Sequence, residues 1–291
     1  MEQTDALVVG FGPAGSSAAL YLCRAGLRVT LVGKDYGALA RAERIENYFG
    51  LPQPLSGKEL AETGCRQAEA LGASVLRDEV LAVGYEDRFV AALASGRELA
   101  ASAVLLATGS SKAAPPIPGL AALEGKGVSF CAVCDGFLYR GRPVAVLGSW
   151  RYALHEMEEL LPLAGSVALL TNGEELTFPA PDGVAVYTQP IGKLIGEEKL
   201  EGARLSDGTE LSLAGLFVAL GSASANDLAR KLGAPLQGNA IRVDAEQRTV
   251  LPGLFAAGDC TGGMAQISLA AAEGAKAALA MIQYLRNLRK K

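Results

Sequence analysis

The sequence predicts a three-layer α/β protein, and two observations support this class. A strand-helix-strand pattern occurs twice along the chain, as in proteins whose parallel strands are joined by helices. The chain also has 291 residues, 50% of them hydrophobic, which is enough for two domains that each bury a core. We therefore expect two domains built on the same plan.

The first repeat lies at the start of the sequence. Ala6 to Gly10 is a short apolar strand pattern, Pro13 to Gly26 is an alanine-rich helix pattern, and Leu27 to Val32 is a second apolar strand pattern. Apolar strands flanking a helix of this length are typical of a βαβ unit.

Three glycines, Gly10, Gly12 and Gly15, stand between the first strand and the helix. In the dinucleotide-binding fingerprint such glycines allow a tight turn, backbone approach to a pyrophosphate and close helix–strand packing. Amides at the helix start then meet the phosphate charge. Gly33 replaces the acid that usually holds a ribose hydroxyl, and Asp35 follows two positions later. The motif therefore predicts a Rossmann-like nucleotide site without an assigned ribose contact.

A second βαβ unit follows near the middle of the chain. Val144 to Leu147 and Ser166 to Leu170 are strand patterns, with a helix pattern over Arg151 to Leu163 between them. The later patterns are a buried strand over 210–220, a strand entering a glycine turn over 254–259 and a helix over 266–288. Between the two units, the proline-rich segment Lys112 to Gly119 is incompatible with a helix and predicts an interdomain linker.

Composition excludes several classes of function. With 27 basic and 31 acidic residues, the chain lacks the positive field that nucleic acid or anionic lipid would require. The opening Met1 to Asp5 carries acids where a secretory signal carries positive charge, and no apolar run is long enough to span a bilayer. We expect a cytoplasmic protein that binds neither nucleic acid nor membrane.

Two of the five cysteines, Cys131 and Cys134, form a Cys-x-x-Cys pair. An odd number of cysteines on a long chain argues against a structural disulfide framework, so the pair predicts redox chemistry or metal binding. Zinc would need two more ligands, whereas His155 is the single histidine. The remaining cysteines occur singly, and we assign them to packing: Cys23, Cys65 and Cys260. We therefore predict a redox dithiol and no metal site.

Taken in order, four motifs make the chain resemble the low-molecular-weight thioredoxin reductase family over essentially its full length. They are Gly10 to Gly15, Ala107-Thr108-Gly109, Cys131-Ala132-Val133-Cys134-Asp135-Gly136 and Gly258-Asp259. The resemblance implies FAD, a homodimer and a thioredoxin-like partner. It also implies a discontinuous FAD-binding domain, residues 1–114 and 245–291, and an NADPH-domain-like domain, residues 115–244, that carries the dithiol.

The resemblance assigns roles to individual residues. Cys134 would accept electrons beside the flavin, Cys131 would exchange with the partner protein, and Asp135 would move a proton. Asp259 would hold the ribityl chain, while Asn47 would lie by the flavin. The other implied cofactor contacts are Gly10, Gly12, Pro13, Ala14 and Gly15 at the pyrophosphate turn, Thr108, Gly109 and Gly258, and Gln266 and Ile267 at the start of a helix pointing at the isoalloxazine.

The second βαβ unit departs from the family pattern. When it is aligned with the first unit, Gly148 matches Gly10 and Ala153 matches Gly15, but Trp150 stands where a glycine would let a phosphate approach. After the next strand, Glu174 and Glu175 replace the positive charges that pair with a 2′-phosphate. Negatively charged side chains repel a phosphate. Each lost charge-assisted hydrogen bond also weakens binding by roughly 1.5 to 3 kcal/mol. We therefore expect no productive NADPH binding.

The electron donor is then expected to be ferredoxin or another one-electron carrier, as in ferredoxin-dependent flavin thioredoxin reductases. Three alternatives stay open: a dithiol oxidase that passes electrons to oxygen, an NAD(P)H-dependent reductase with an atypical cofactor site, and a non-catalytic flavin-binding module. Trp150 and Tyr152 could stack a second flavin or be core aromatics, and His155, on the same helix, could face the core or the cleft.

Overall fold

Helices and strands alternate along most of the chain in the computed structural model, which describes residues 1–110 and 115–290. The strands are β1 Glu2–Val9, β2 Val29–Gly33, β3 Ser74–Arg77, β4 Val80–Tyr85, β5 Phe89–Leu93, β6 Glu98–Leu106, β7 Val128–Ser129, β8 Pro143–Leu147, β9 Ser166–Leu170, β10 Ala185–Tyr187, β11 Ile191–Ile195, β12 Gly202–Leu205, β13 Glu210–Ser212, β14 Gly215–Val218, β15 Leu236–Gln237, β16 Ala240–Ile241 and β17 Leu254–Ala256. The α-helices are α1 Pro13–Arg24, α2 Gly57–Ala70, α3 Ala132–Asp135, α4 Arg151–Leu160, α5 Ala225–Lys231 and α6 Ile267–Leu288. Short 3₁₀ turns lie at Gly37–Arg41, Gly136–Tyr139 and Asp259–Thr261.

The chain divides into two compact units. The first unit combines Met1–Ser111 with Ser224–Lys291, and the second unit is Lys112–Ala223. The predicted linker over 112–119 falls at the first junction, although its residues 112–114 lie outside the described residues. The chain returns to the first unit at Ser224, whereas the sequence placed that return at 245.

Helix α5 explains the earlier return. The backbone N–H of Ala225, its first residue, donates to Thr108 Oγ1 at 2.8 Å. At its other end, Lys231 Nζ donates to the carbonyl of Leu81 on β4 at 3.5 Å. Because Thr108 and Leu81 belong to the first unit, residues 224–244 pack with that unit.

The first unit is built on a seven-stranded sheet with the order β3-β2-β1-β6-β5-β4, in which β17 also pairs with β6. The strands β3, β2, β1, β6 and β17 run parallel, and β4 and β5 add an antiparallel edge. The middle strands are apolar on both faces, as expected of a covered parallel sheet. Helix α2 begins with a capping box, in which Ser56 and Glu59 bind each other's backbone amides.

Helices α1 and α6 pack together on this sheet through small residues. Ala14 and Ala18 of α1 and Ala277 and Ala278 of α6 are buried in one core cluster. A side chain at Gly274 of α6 would overlap the backbone of Ala14. The absence of a Cβ at 274 therefore allows the last helix of the chain to lie directly against the first.

The second unit contains a five-stranded parallel sheet with the order β10-β9-β8-β14-β7. A separate antiparallel sheet holds β11, β12 and β13. The single strand predicted over 210–220 was wrong, because the segment divides into β13 and β14, which join different sheets. Leu213 between them is apolar and buried, so the sequence does not show the break.

The predicted fold class is confirmed: both units have the Rossmann-like α/β arrangement, with parallel strands joined by helices. The two predicted βαβ units appear as β1-α1-β2 and β8-α4-β9. Helix α4 ends at Leu160 rather than at the predicted Leu163, because the chain turns after Leu161. Among the described residues, no helix combines the length and apolar character that crossing a membrane requires.

Candidate active site

The glycine turn of the first unit is packed too tightly for side chains at two of its three positions. A Cβ on Gly10, where φ is 120°, would overlap the carbonyl oxygen of Ala107, and a Cβ on Gly15 would overlap that of Gly10. A Cβ on Gly12 would instead meet nothing within 4 Å. Gly12 is the N-cap of α1, and the first turn of α1 holds no acidic residue. The turn therefore leaves space and amide groups for an anionic ligand.

A second glycine turn adjoins this helix start. Gly258 has φ 83°, and a Cβ there would approach Ala14 Cβ to 3.1 Å. Its N–H donates to Glu273 Oε2 at 2.7 Å, and Thr261 Oγ1 donates to the same oxygen at 3.2 Å. Glu273 of α6 thus holds the turn that presents Asp259, a role that the sequence did not reveal.

The other predicted cofactor residues lie after β6, at the starts of α1 and α6, and in the loop that contains Asn47. Thr108 and Gly109 follow β6 beside the Gly10 turn, since a Cβ on Gly10 would lie 3.1 Å from Thr108 Cα. Pro13 begins α1, and Gln266 is the N-cap of α6, directly before Ile267. Asn47 is exposed in a bend after the bridge between Ile45 and Leu55. The contacts of Asn47, Gln266 and Ile267 with a flavin stay predictions.

The missing acid at the end of β2 has a steric cause. A Cβ on Gly33 would come within 2.8 Å of the ring of Phe11, which is buried. The charged groups at this sheet edge come instead from Lys34 and Glu79, whose Nζ and Oε2 lie 2.9 Å apart. This is the edge at which the adenosine ribose binds in Rossmann-like domains.

FAD fits these residues. The space in front of Gly12, the uncapped start of α1 and the strand ends beside it match the needs of a pyrophosphate. In this arrangement Gly12, Pro13 and Ala14 would hold the pyrophosphate, and the Gly258–Asp259 turn would hold the ribityl chain.

Cys131 and Cys134 form a disulfide in the second unit, with Cα atoms 5.3 Å apart. Cys131 is the N-cap of α3, and its Sγ accepts the N–H of Cys134 at 3.1 Å. Cys131 is 3% exposed, whereas Cys134 is only partly buried. A sulfur at a helix start is favoured as a thiolate after reduction, and the role of Cys131 in thiol exchange stays a prediction.

Ser129 connects Cys131 with Asp135. Its Oγ accepts the N–H of Cys131 at 3.1 Å and donates to Asp135 Oδ2 at 2.7 Å. Burial of the phenol raises the pKa of Tyr139, and the Asp135 carboxylate raises it further. Ser129 is buried and had no sequence signal beyond its position two residues before the pair.

The second βαβ unit repeats the packing of the first but fills the ligand side. A Cβ on Gly148 would overlap the carbonyl oxygen of Ala219, just as one on Gly10 would overlap Ala107. At the position of Gly12, however, Trp150 is the N-cap of α4 and is 40% exposed. The position that is a glycine in the first turn therefore carries an indole in the second.

The loop after β9 covers the same turn. Ser149 is fully buried, and its Oγ donates to Glu174 Oε2 at 2.5 Å. The N–H and hydroxyl of Thr177 donate to the Ser149 carbonyl at 3.0 and 2.9 Å. Glu175 is exposed beside Glu174. A nucleotide phosphate would meet an indole and carboxylates at this position.

The three free cysteines are Cys23, Cys65 and Cys260. Burial raises the pKa of the Cys260 thiol to about 12, and burial likewise raises the pKa of Cys23 and Cys65. Within residues 1–110 and 115–290, no cluster of three or more His, Cys, Asp or Glu side chains could hold a metal ion.

Comparison with known proteins agrees with this geometry. The family model for pyridine nucleotide-disulphide oxidoreductases matches residues 4–274. A thioredoxin reductase of Aquifex aeolicus (strain VF5) is 33% identical over 98% of this chain and 94% of the relative.

Two crystal structures show the same fold over nearly the whole chain. The atypical thioredoxin reductase TRi from Desulfovibrio vulgaris Hildenborough is 42% identical with a TM-score of 0.92, covering 97% of this chain and 98% of that one. A ferredoxin-flavin thioredoxin reductase from Clostridium acetobutylicum is 29% identical with a TM-score of 0.74, covering 99% of each chain. With its nucleotide turn and its Cys131–Cys134 disulfide, the chain belongs to the pyridine nucleotide-disulphide oxidoreductases and is a divergent, flavin-dependent disulfide oxidoreductase of the thioredoxin reductase type.

Proposed function

We propose that this enzyme reduces the disulfide of a thioredoxin-like protein through Cys131 and Cys134, and that its electrons come from ferredoxin or another one-electron carrier instead of NADPH. The observation that carries the proposal is the hydrogen bond between Ser149 and Glu174, beside Trp150. It places a carboxylate over the turn at which a dinucleotide phosphate would bind. The similarity to a ferredoxin-flavin thioredoxin reductase supports the same donor class.

Bound FAD would supply the redox chemistry, since a flavin can take up single electrons and pass an electron pair to a disulfide. Two electrons and two protons convert the Cys131–Cys134 disulfide into a dithiol. The Cys131 thiolate then attacks one sulfur of the partner's disulfide, and the other partner sulfur leaves as a thiolate that takes up a proton.

The second cysteine completes the exchange. Cys134, as a thiolate, attacks the Cys131 sulfur of the mixed disulfide, which releases the reduced partner and restores the intramolecular disulfide. In this proposal Asp135 accepts or returns a proton during these steps, and the hydrogen bond from Ser129 to its carboxylate, one residue from Cys134, supports that role. Each turnover thus converts one partner disulfide into two thiols.

The test is an anaerobic titration of the purified enzyme with three reductants: NADPH, NADH and reduced ferredoxin. We expect reduced ferredoxin to bleach the flavin absorbance and, in the presence of thioredoxin, to generate protein thiols. We expect micromolar NADPH or NADH to do neither. Rapid bleaching by NADPH would overturn the choice of donor.

Variants of the dithiol separate donor from acceptor steps. Cys131→Ser and Cys134→Ser should keep FAD and its reduction by ferredoxin while losing thiol production. If both variants kept full activity, the dithiol role would be wrong and a non-catalytic flavin module would be preferred. Rapid peroxide formation from oxygen after addition of a small dithiol, without thioredoxin reduction, would favour a dithiol oxidase.

The proposal includes one FAD per chain, a homodimer and a cytoplasmic location. Three cysteines left free beside a single redox pair suit a reducing compartment. A flavin-to-protein ratio of two would instead indicate a second flavin at Trp150 and Tyr152. Size-exclusion chromatography with light scattering would measure the molecular mass in solution and so test for the dimer.

A further inference from the structure

A buried carboxylate lies against the start of the dithiol helix. Glu156 of α4 is 1% exposed, and its Oε2 accepts the backbone N–H of Ala132 at 2.7 Å. Ala132 is the first residue of α3 and follows Cys131 directly. The carboxylate is therefore bound one residue from the sulfur that we assign to partner exchange.

The sulfur and the carboxylate use the same helix start. Cys131 Sγ accepts the N–H of Cys134, while Glu156 accepts the N–H of Ala132. Unpaired amides in the first helical turn stabilise a thiolate, as they stabilise other anions. One of these amides is already bound to a negative group, and that group is too buried for water to screen it effectively.

We propose that Glu156 is a positioning residue for the dithiol, which fixes the start of α3 through Ala132 and restrains the ionisation of Cys131 by its negative charge. The proposal rests on the exchange role given to Cys131 in the proposed function. Its test, however, needs neither the electron donor nor thioredoxin. The proposal for Glu156 and the proposed function can therefore fail separately.

Other charged and titratable groups share this environment. On α3 itself, Asp135 is bound to Ser129. Tyr139 lies on the 3₁₀ turn that follows, with the Arg142 guanidinium 5.9 Å from the centre of its ring. The remaining such groups on α4 are Arg151, Tyr152, His155, Glu158 and Glu159. Glu156 differs from the other acids of α4 in binding the backbone of α3.

The test compares Glu156→Gln with the parent holoenzyme after chemical reduction and removal of the reductant. Gln keeps an oxygen that can accept the Ala132 N–H but removes the charge. We expect Cys131 in this variant to react with iodoacetamide about five- to tenfold faster near pH 6.5. Its rate profile should shift to lower pH, and peptide mass spectrometry would separate labelling at Cys131 from labelling at Cys134.

A second readout is the equilibrium of the dithiol with glutathione. Two glutathione molecules reduce the Cys131–Cys134 disulfide and leave as glutathione disulfide, so atoms and electrons balance. Because the variant should favour the thiolate, the equilibrium constant for this reduction should rise roughly five- to tenfold at neutral pH. A purely structural role for Glu156 would not produce matched shifts in both measurements.

The matched control is Glu158→Gln, an exposed acid on the same helix. It should leave both the alkylation profile and the glutathione equilibrium unchanged. A Glu156→Gln enzyme that folds, keeps FAD and shows the parental profile would overturn the proposal. If Gln prevented folding, Glu156→Asp would serve instead, and it should keep the parental pH dependence because it retains the charge.

Discussion

The hydroxyl of Ser149 donates a 2.5 Å hydrogen bond to the carboxylate of Glu174, across the turn that opens α4. In the first unit, the equivalent turn has open space in front of Gly12. The same Rossmann-like plan therefore presents one turn suited to a phosphate and one that carries an indole and a hydrogen-bonded carboxylate. This difference is the physical basis of our proposal that NADPH is not the electron donor.

Reopening the second turn should restore pyridine-nucleotide binding. The double variant Trp150→Gly, Glu174→Arg removes the indole and replaces a repelling charge with one that can pair with phosphate. We expect it to bind NADPH at least about tenfold more tightly than the parent, since a change of roughly 1.4 kcal/mol corresponds to tenfold. Calorimetric titration measures this directly. The exposed-site variant Glu175→Gln is the control and should gain far less, and equal affinity in all three proteins would contradict the explanation.

Two glycines of the first turn should respond differently to alanine. Gly15→Ala places a Cβ on the carbonyl of Gly10, so we expect a loss of at least about 1 to 3 kcal/mol of stability. Gly12→Ala meets open space, so the stability of the flavin-free protein should change by less than about 1 kcal/mol. Its FAD affinity should still fall, because the methyl group enters the phosphate space. Denaturant unfolding and flavin fluorescence separate the two effects, and equal destabilisation would be inconsistent with this packing.

Removing the Ser129 hydroxyl should impair the dithiol. Ser129→Ala leaves the Cys131 amide and the Asp135 carboxylate without this shared partner, and each lost hydrogen bond is worth about 0.5 to 1.5 kcal/mol. We expect slower thioredoxin reduction with an altered pH profile, while flavin reduction by ferredoxin stays unchanged. Stopped-flow measurement of each half-reaction provides the comparison. The exposed Ser206→Ala is the control, and a normal pH profile in Ser129→Ala would speak against a role for this contact.

Cys260 should be chemically silent in the native enzyme. Burial disfavours its thiolate and raises the pKa to about 12, so the protonated thiol dominates at neutral pH and cannot act as a nucleophile. Iodoacetamide at about pH 8 should label the reduced dithiol but label Cys260 only after denaturation. Because the folded pKa lies above the unfolded one, the stabilisation from the buried thiol is present below pH 9 and is lost as pH rises toward about 12. Labelling of native Cys260 at the rate of the dithiol would disprove this assignment.

Most of the fold could be predicted because its signals are local. Gly10, Gly12 and Gly15 follow an apolar strand and open a helix, which leaves few alternatives to a βαβ unit. The break between β13 and β14 could not be predicted, because Leu213 at the break is itself apolar and buried. The return at Ser224 was missed for a related reason: the contacts that attach α5 to the first unit join residues more than a hundred positions apart, such as Ala225 and Thr108.

The site was predictable where chemistry requires a specific residue type. The Cys131–Cys134 pair and the substitution of Trp150 for glycine are visible in the sequence alone. Ser129 was missed although it lies only two residues from the amide that it binds, because a lone serine forms no motif. Glu273 and Glu156 were missed because each binds a backbone amide brought close by folding. An acidic or hydroxyl side chain in a helix or strand carries no sign of such a distant partner. For the same reason, only the packed structure shows that the Phe11 ring would clash with any side chain larger than glycine at position 33.

The contact between Gly274 and Ala14 also constrains the order in which the two units fold during synthesis. Residues 1–110 cannot complete their core as they leave the ribosome, because α6 is translated only after the entire second unit. The second unit, which is continuous in sequence, can fold while the first still exposes the apolar face of its sheet. The nucleotide-binding half is thus the last part of the enzyme to mature, and truncation of the final helix would leave that half unfinished.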